Sequence, residues 1–371
     1  MKKKPKIAIL GMGKLGLTQA GHMALEGYDI SVWNRSQDKL APLIANDSCI
    51  DVSGIVSGKG RLSLITGDCR TAIEDREVII IATPAFGHYP IINQLLPFLQ
   101  ATQQIILHPG YMMGAVAVHQ LLDRHGLGQV LVSELSNALY CVTKAQGAST
   151  DILALKEKVG FASLPIAKRD QCLEPLQGLY ANCIEPYDSV IETGMLNLNF
   201  MQHPFITMMN TGSIDRGEPF SYYHGGATQT VANLIEAADE ERVSVCKALG
   251  IRSFSAKDLM VRHYPSYISK KDNFYEAIMT NKAYTGFQSP KELYTRHVSE
   301  DIPYGIMPVT SIARFLGIKT PALNAICDLC RAVFGKDWTD EARTLETLGL
   351  IDMTREKLLA YMQNGHQVAQ I

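Results

Sequence analysis

The sequence predicts an α/β N-terminal domain of the doubly wound type, followed by a mostly α-helical C-terminal domain. Three observations predict it. Continuous Ile/Val runs alternate with helical patterns through the first third of the chain. A glycine-rich turn, Gly11-x-Gly13-x-x-Gly16, follows the first of these runs and opens a helical pattern. After about residue 170 the strand-like runs become scarce and helical periodicity takes over.

The elements follow in order. Residues 6–10 form a buried-strand run, and the glycine turn leads into a helix ending near Gly27. Strands are expected at 29–33, at 76–83 (REVIIIAT, stopped by Pro84), at 104–107 and at 129–133. Runs that are apolar without alternation belong to strands covered on both faces, so the sheet is expected to be parallel. Beyond it, residues 188–210 read as one long helix bent at Pro204. Residues 229–249 read as another, closed by Gly250. Shorter helices are expected at 273–282, 309–316, 321–334, 339–348 and 354–364. The composition shift divides the chain into a dinucleotide-binding domain, 1–172, and an α-helical catalytic and substrate domain, 173–371.

Composition narrows the function. The chain has 371 residues, with 35 Lys+Arg against 37 Asp+Glu, a formal net charge of −2. That balance gives no electrostatic reason to expect nucleic acid or an anionic membrane as partner. No apolar run reaches the ~18 residues of a membrane helix. Met1-Lys2-Lys3-Lys4 imitates the basic start of a signal peptide, but the apolar stretch Ile7-Ala8-Ile9-Leu10 is too short to complete one. The 8 cysteines are too sparse for a disulfide framework. Cys327-x-x-Cys330 lacks a second ligand pair, so these two read as core residues and no metal site is expected. The expectation is a cytoplasmic protein with reduced thiols, assembled as a homodimer.

The glycine turn carries the first chemistry. Gly11 permits the tight turn, Gly13 lets a pyrophosphate approach the backbone, and Gly16 lets helix and strand pack closely. With Lys14 and Leu15 they open a helix whose free N–H groups suit a diphosphate, the Rossmann-type arrangement. At the end of the second strand stand Asn34-Arg35-Ser36, where NAD-specific sites place a carboxylate for the ribose. An arginine fork and a hydroxyl there suit a 2′-phosphate, so NADP(H) is the expected cofactor, with NAD(H) also usable. Thr83-Pro84 and His108-Pro109 end later strands, where ligands sit in such sheets.

The second domain offers a catalytic set. His203-Pro204 lies inside a helical pattern. Hydride transfer to a carbonyl or imine needs a proton donor, and histidine titrates near neutrality. In the charged stretch 295–305, Asp301 is the candidate to fix its tautomer and Arg296 the candidate to clamp a substrate carboxylate. Two aromatic clusters, Tyr222-Tyr223-His224 and Arg262-His263-Tyr264 with Tyr267, fit a substrate pocket or plain packing equally and stay outside the catalytic set.

These motifs give the chain a specific likeness. It resembles the opine dehydrogenases, the octopine/nopaline dehydrogenase family. The N-x-x-x-H-P element is matched by Asn199, His203 and Pro204. The R-x-x-x-E-D-[IV]-P-[YF]-G element is matched by Arg296, Glu300, Asp301, Pro303, Tyr304 and Gly305. Asp239 to Arg242 and Glu134 to Tyr140 are similar to further family elements. The resemblance implies reductive condensation of an amino acid with a 2-oxo acid to an N-(1-carboxyalkyl) amino acid. It implies His203 and Asp301 as the catalytic pair, with Arg296, Asn199 and Tyr304 at the substrate. Two departures bear on the pocket. The family often reads Asn-Pro-Gly-Arg where this chain has His108-Pro109-Gly110-Tyr111, and Val142-Thr143-Lys144 stands where an arginine is usual.

Two rival readings remain. A 2-oxo or hydroxy acid reductase of the ketopantoate-reductase or 6-phosphogluconate-dehydrogenase-like type resembles the chain in outline, but such enzymes rely on a helical-domain lysine. A non-catalytic NADP-binding sensor would need no proton donor. NADPH oxidation with a 2-oxo acid, with and without an amine, separates the three.

Overall fold

The computed structural model describes residues 4–366. The signal-like start Met1–Lys3 and the last residues of the second domain, 367–371, lie outside the described residues. The chain forms two compact units. The first comprises the chain to Gly110, Gly114–Val190 and Met362–His366; the second comprises Tyr111–Met113 and Ile191–Tyr361.

Among the described residues, twelve strands build the first unit: β1 (Lys6–Leu10), β2 (Asp29–Trp33), β3 (Cys49–Gly54), β4 (Gly58–Arg61), β5 (Leu64–Thr66), β6 (Val78–Ile81), β7 (Gln104–Leu107), β8 (Leu131–Leu135), β9 (Tyr140–Gln146), β10 (Ser149–Leu155), β11 (Val159–Leu164) and β12 (Ile184–Pro186). Eight of them form one sheet in the order β12-β11-β8-β7-β6-β1-β2-β5. Every pair in it is parallel except β8 with β11. The order reverses between β1 and β6, so the crevice at their carboxyl ends is where such sheets bind ligands. The expected strands 6–10, 29–33, 76–83, 104–107 and 129–133 correspond to β1, β2, β6, β7 and β8. Their Ile/Val side chains, among them Ile7, Ile9, Ile30, Ile80 and Ile106, are fully buried, as the lack of alternation implied.

A second sheet, β4-β3-β10-β9, was not anticipated. β4 reads Gly-Lys-Gly-Arg and carries no apolar alternation. Its glycines serve contact instead. A Cβ on Gly60 would stand 2.2 Å from the Gly21 carbonyl of helix Lys14–Leu25, and a Cβ on Gly21 would stand 2.7 Å from Ile50. Glycine on both sides lets helix and sheet backbones meet. The domain boundary expected at 172/173 also needs correction. β12 pairs parallel with β11, which keeps the chain in the first unit as far as Val190.

The second unit is helical. The helix expected over 188–210 is two helices, Val190–Met195 and Asn199–Met209, divided before Pro204 rather than at it. The Asn197 side chain accepts the Asn199 N–H at 2.8 Å and starts the second helix. Gln229–Leu249 runs as expected, and Gly250 closes it at φ 72°. No helix forms over 339–348. Thr347 Oγ1 donates to the Ala342 carbonyl at 2.6 Å and accepts the Thr344 N–H at 3.0 Å, and these bonds displace helical ones. Cys327 and Cys330 are buried on Pro321–Phe334, and burial pushes both thiols up to about 12.

The Asp239–Arg242 segment is a structural tie. Arg242 is fully buried and bonds Asp239 Oδ1 (2.8 Å from Nε), the Met195 carbonyl (2.8 Å) and the Phe254 carbonyl (2.6 Å). Asp239 Oδ2 accepts the Ala256 N–H at 2.6 Å, and Glu241 accepts Ala322 N–H and Leu323 N–H at the start of Pro321–Phe334. Removing the cation strands a buried carboxylate and two carbonyls. Arg242→Ala is therefore expected to cost about 3 kcal/mol of stability, read from denaturant unfolding. A loss under about 1 kcal/mol would contradict this reading.

Candidate active site

In the first unit, the glycine turn leaves the end of β1. Gly11 adopts φ 104°, and a Cβ there would meet Thr83 Cγ2 at 2.4 Å. A Cβ on Gly16 would fall 1.8 Å from the Gly11 carbonyl oxygen, so only glycine closes this turn. Gly13, by contrast, has open space where its Cβ would be and caps the helix Lys14–Leu25 with no side-chain bond. The first N–H groups of that helix thus face an open cradle suited to a diphosphate. Lys14 is exposed and Leu15 half-buried at its mouth. Thr83, at the end of β6, buries its hydroxyl with no partner among the described residues, beside half-buried Pro84. These features fit a nicotinamide dinucleotide.

Asn34 ties the turn to the end of β2. Its Oδ1 accepts the Met12 N–H at 2.9 Å and its Nδ2 donates to the Ser36 carbonyl at 3.0 Å. Arg35 and Ser36 are exposed. His108 has a structural place. The Leu139 N–H donates to its Nε2 (2.9 Å), so Nδ1 carries the proton and donates to Gln19 Oε1 (2.8 Å). Burial first, and Lys156 second, lower its pKa to about 3, which keeps it neutral.

In the second unit, His203 lies on helix Asn199–Met209 and is buried (3 % exposed). Its Nδ1 meets Asp301 Oδ2 at 2.8 Å, across 98 residues of sequence. Asp301 precedes a π-type turn, Ile302–Ile306, and is fully buried. Burial pushes its carboxyl up to about 7, against the opposing pull of Arg296 and Tyr111. Its Oδ1 and the Tyr111 hydroxyl are both buried without a completed hydrogen bond. Asn199, one turn before His203, lies against Tyr111. Arg296 pairs with buried Glu300 at 3.2 Å, yet its side chain remains 51 % exposed. A guanidinium anchored on one side and open on the other can receive a carboxylate.

The structure therefore gathers His203, Asp301, Arg296 and Asn199. Tyr304 is engaged differently: its ring lies under the Arg343 guanidinium (4.9 Å) and its carbonyl accepts the Met112 N–H at 3.0 Å. Three aromatic residues outside the expected set belong to the site. Tyr223 Oη meets His203 Nε2 at 3.1 Å. Tyr222 Oη donates to the His203 carbonyl at 3.1 Å. The His297 ring lies 4.4 Å from that of His203, and burial, then His203 and Arg296, hold its pKa well below the usual range. Among the described residues no group of three or more His, Cys, Asp or Glu is arranged to hold a metal ion.

Comparison with known proteins identifies the family. An opine dehydrogenase of Arthrobacter sp. (strain 1C) is 30 % identical over 347 residues, covering 94 % of this chain and 96 % of its own. The chain belongs to the opine dehydrogenase family. It is an NAD(P)-dependent oxidoreductase acting on the CH–NH group of its donors. The chain matches the family model "NAD/NADP octopine/nopaline dehydrogenase, alpha-helical domain" over residues 186–334, and the model "Ketopantoate reductase PanE/ApbA" over 7–131. Octopine dehydrogenase of Mizuhopecten yessoensis is 25 % identical over 307 residues, 75 % of each chain. Among solved structures, octopine dehydrogenase with NADH and L-arginine superposes with a TM-score of 0.79 at 21 % identity, covering 98 % of this chain and 100 % of that one. Yersinopine dehydrogenase with NADP+ bound superposes with a TM-score of 0.73 at 14 % identity, covering 98 % and 99 %. At these identities the structures attest the two-part fold. No helix among the described residues is long and apolar enough to cross a membrane.

Proposed function

We propose that this opine dehydrogenase uses NADPH in preference to NADH and condenses an amino acid α-amine with a 2-oxo acid, reducing the product imine to an N-(1-carboxyalkyl) amino acid. The His203–Asp301 pair beside the half-open Arg296 carries this reading. Solved relatives hold NADH with L-arginine, NADH with pyruvate, and NADP+. Bound at the glycine cradle, the nicotinamide supplies the hydride.

The remaining chemistry falls to side chains of the second unit. Arg296 binds a substrate carboxylate through the face that Glu300 leaves open. Asp301 accepts a hydrogen bond from the Nδ1–H of His203 and stabilises the imidazolium, so Nε2–H serves as the general acid. The amine adds to the 2-oxo carbon, and the oxygen leaves as water once His203 has supplied its proton. The opposite direction uses the same imidazole as a base. Crossing a panel of amino acids with pyruvate, glyoxylate and 2-oxoglutarate, read by NADPH absorbance, tests the reaction. Oxidation that needs no amine would favour a ketopantoate-type reductase instead, whose family model the first unit also matches.

The cofactor preference rests on Arg35, exposed where a carboxylate would repel a 2′-phosphate. Arg35→Ala is expected to raise KM for NADPH by about 10- to 100-fold and leave KM for NADH unchanged. Equal effects on both cofactors would refute the preference. Eight free cysteines suit the reducing cytoplasm, and a homodimer, to be read by light scattering, completes the proposal.

A further inference from the structure

The general acid of the proposed reaction is not open to substrate at its working nitrogen. His203 Nε2 is covered by the Tyr223 hydroxyl at 3.1 Å, while Nδ1 is taken by Asp301 at 2.8 Å. The Tyr223 ring is held from several sides. Tyr284 stacks on it at 3.9 Å and 17°, Tyr222 meets it edge-on at 5.0 Å and 77°, and Phe287 meets it at 5.5 Å and 71°. Tyr222 is itself fixed, bonded to Thr207 Oγ1 at 2.9 Å and to the His203 carbonyl at 3.1 Å. A side chain packed this way does not swing aside without breaking a stack and two edge contacts. The His203 ring is likewise pinned against His297 at 4.4 Å. Arg296, the proposed carboxylate clamp, lies close enough to Tyr223 to feel its charge state. The hydroxyl thus stands on Nε2, the nitrogen that must hand its proton toward a substrate.

We propose that Tyr223 relays the proton between His203 and the oxygen lost in the condensation, an inference that rests on the reaction proposed above. The carbinolamine formed from amine and 2-oxo acid must lose its hydroxyl as water. In the relay, Tyr223 Oη–H gives its proton to that hydroxyl while the His203 Nε2–H proton passes to Tyr223 Oη. The C–O bond breaks as the nitrogen lone pair forms the C=N bond. Water departs, the phenol is restored, and His203 is left neutral with Asp301 still bonded at Nδ1. In the opposite direction water adds to the imine and the proton returns along the same two bonds. No phenolate accumulates, because proton gain and loss at Oη are concerted.

Tyr223→Phe keeps the ring and its stack on Tyr284 and removes only the hydroxyl. The variant is expected to lose about 100-fold in kcat with an amine and 2-oxo acid, with KM for NADPH unchanged. The proton inventory in H2O/D2O mixtures should change from curved, two protons in flight, to linear. Retention of kcat within two-fold, or an inventory that stays curved after the hydroxyl is gone, would overturn the relay. A tyrosine that simply moves aside for substrate predicts the first of these. One readout needs no turnover. In 15N-histidine-labelled protein, the His203 Nε2 resonance should shift in Tyr223→Phe, and an unmoved resonance would overturn the contact itself. If wild-type protein oxidised NADPH with no amine and oxo acid pair, the reaction would fail as a reading, and these spectra would still decide whether Tyr223 holds Nε2.

Discussion

His203→Ala is expected to lower kcat for amine-dependent NADPH oxidation by about 10⁴-fold, the upper range for removal of a positioned acid–base group. The size follows from how completely the site depends on this imidazole. Both nitrogens are engaged, one by Asp301 at 2.8 Å and one by Tyr223 at 3.1 Å, and the ring is buried against His297. The neighbours do not replace it: Tyr223 passes on a proton that it receives from Nε2, and Asp301 lies on the Nδ1 side of the ring. His297 is held neutral by burial and by the two cations beside it, and Arg296 does not release its proton. Cofactor affinity should not change, because the glycine turn, Asn34, Arg35 and Thr83 all belong to the first unit and His203 to the second. Fluorescence titration with NADPH and single-turnover absorbance together check the prediction. Turnover within tenfold of wild type would remove His203 from the mechanism, whereas loss of NADPH binding would point to a structural role.

The nucleotide half was the more legible because its chemistry is local. Gly11, Gly13 and Gly16 lie within six residues, and each glycine answers to one backbone demand. The catalytic half depends on a contact between residues 98 apart, which no spacing rule predicts. It was legible through the chemistry of a His–carboxylate pair and through the family resemblance of the segments carrying it. Tyr222 and Tyr223 stayed outside the catalytic set because aromatic side chains near a helix fit a pocket and plain packing equally until their hydroxyls and rings are placed, and the same holds for the His297 ring. Tyr111 escaped for another reason. It stands in a turn beside the cis His108-Pro109 bond, at φ 60°, and contributes to the second unit from within the sequence of the first. The second sheet was missed because Gly-Lys-Gly-Arg has no hydrophobic period. The 339–348 helix was over-predicted because threonine hydroxyls bond the backbone there.

Asp301→Asn separates proton donation from mere architecture, since the amide preserves the shape of the carboxyl. Two consequences are expected. First, kcat in the reductive direction should fall by about 10³-fold, because the amide stabilises no imidazolium and can donate to Nδ1, imposing the other tautomer. Second, the pH profile should move, and its direction follows from the site's electrostatics. Burial pushes the Asp301 carboxyl up to about 7, while Arg296 and Tyr111 pull it down. Asp301 and His203 share one proton across 2.8 Å, so they titrate as a pair rather than as two independent groups. On the acid side of the carboxyl's raised range the pair holds that proton, and on the alkaline side the proton is lost. Reduction needs the proton, so its rate should be level on the acid side and fall as pH rises through this range. Oxidation of the opine needs the proton-free base, so its rate should rise through the same range. Without the carboxylate the imidazolium loses its counter-charge and gives up its proton at lower pH. Both limbs should therefore move toward acid in Asp301→Asn, most clearly in kcat/KM for the 2-oxo acid. A variant with lower kcat and an unmoved pH profile would show that Asp301 holds His203 in place without sharing its proton.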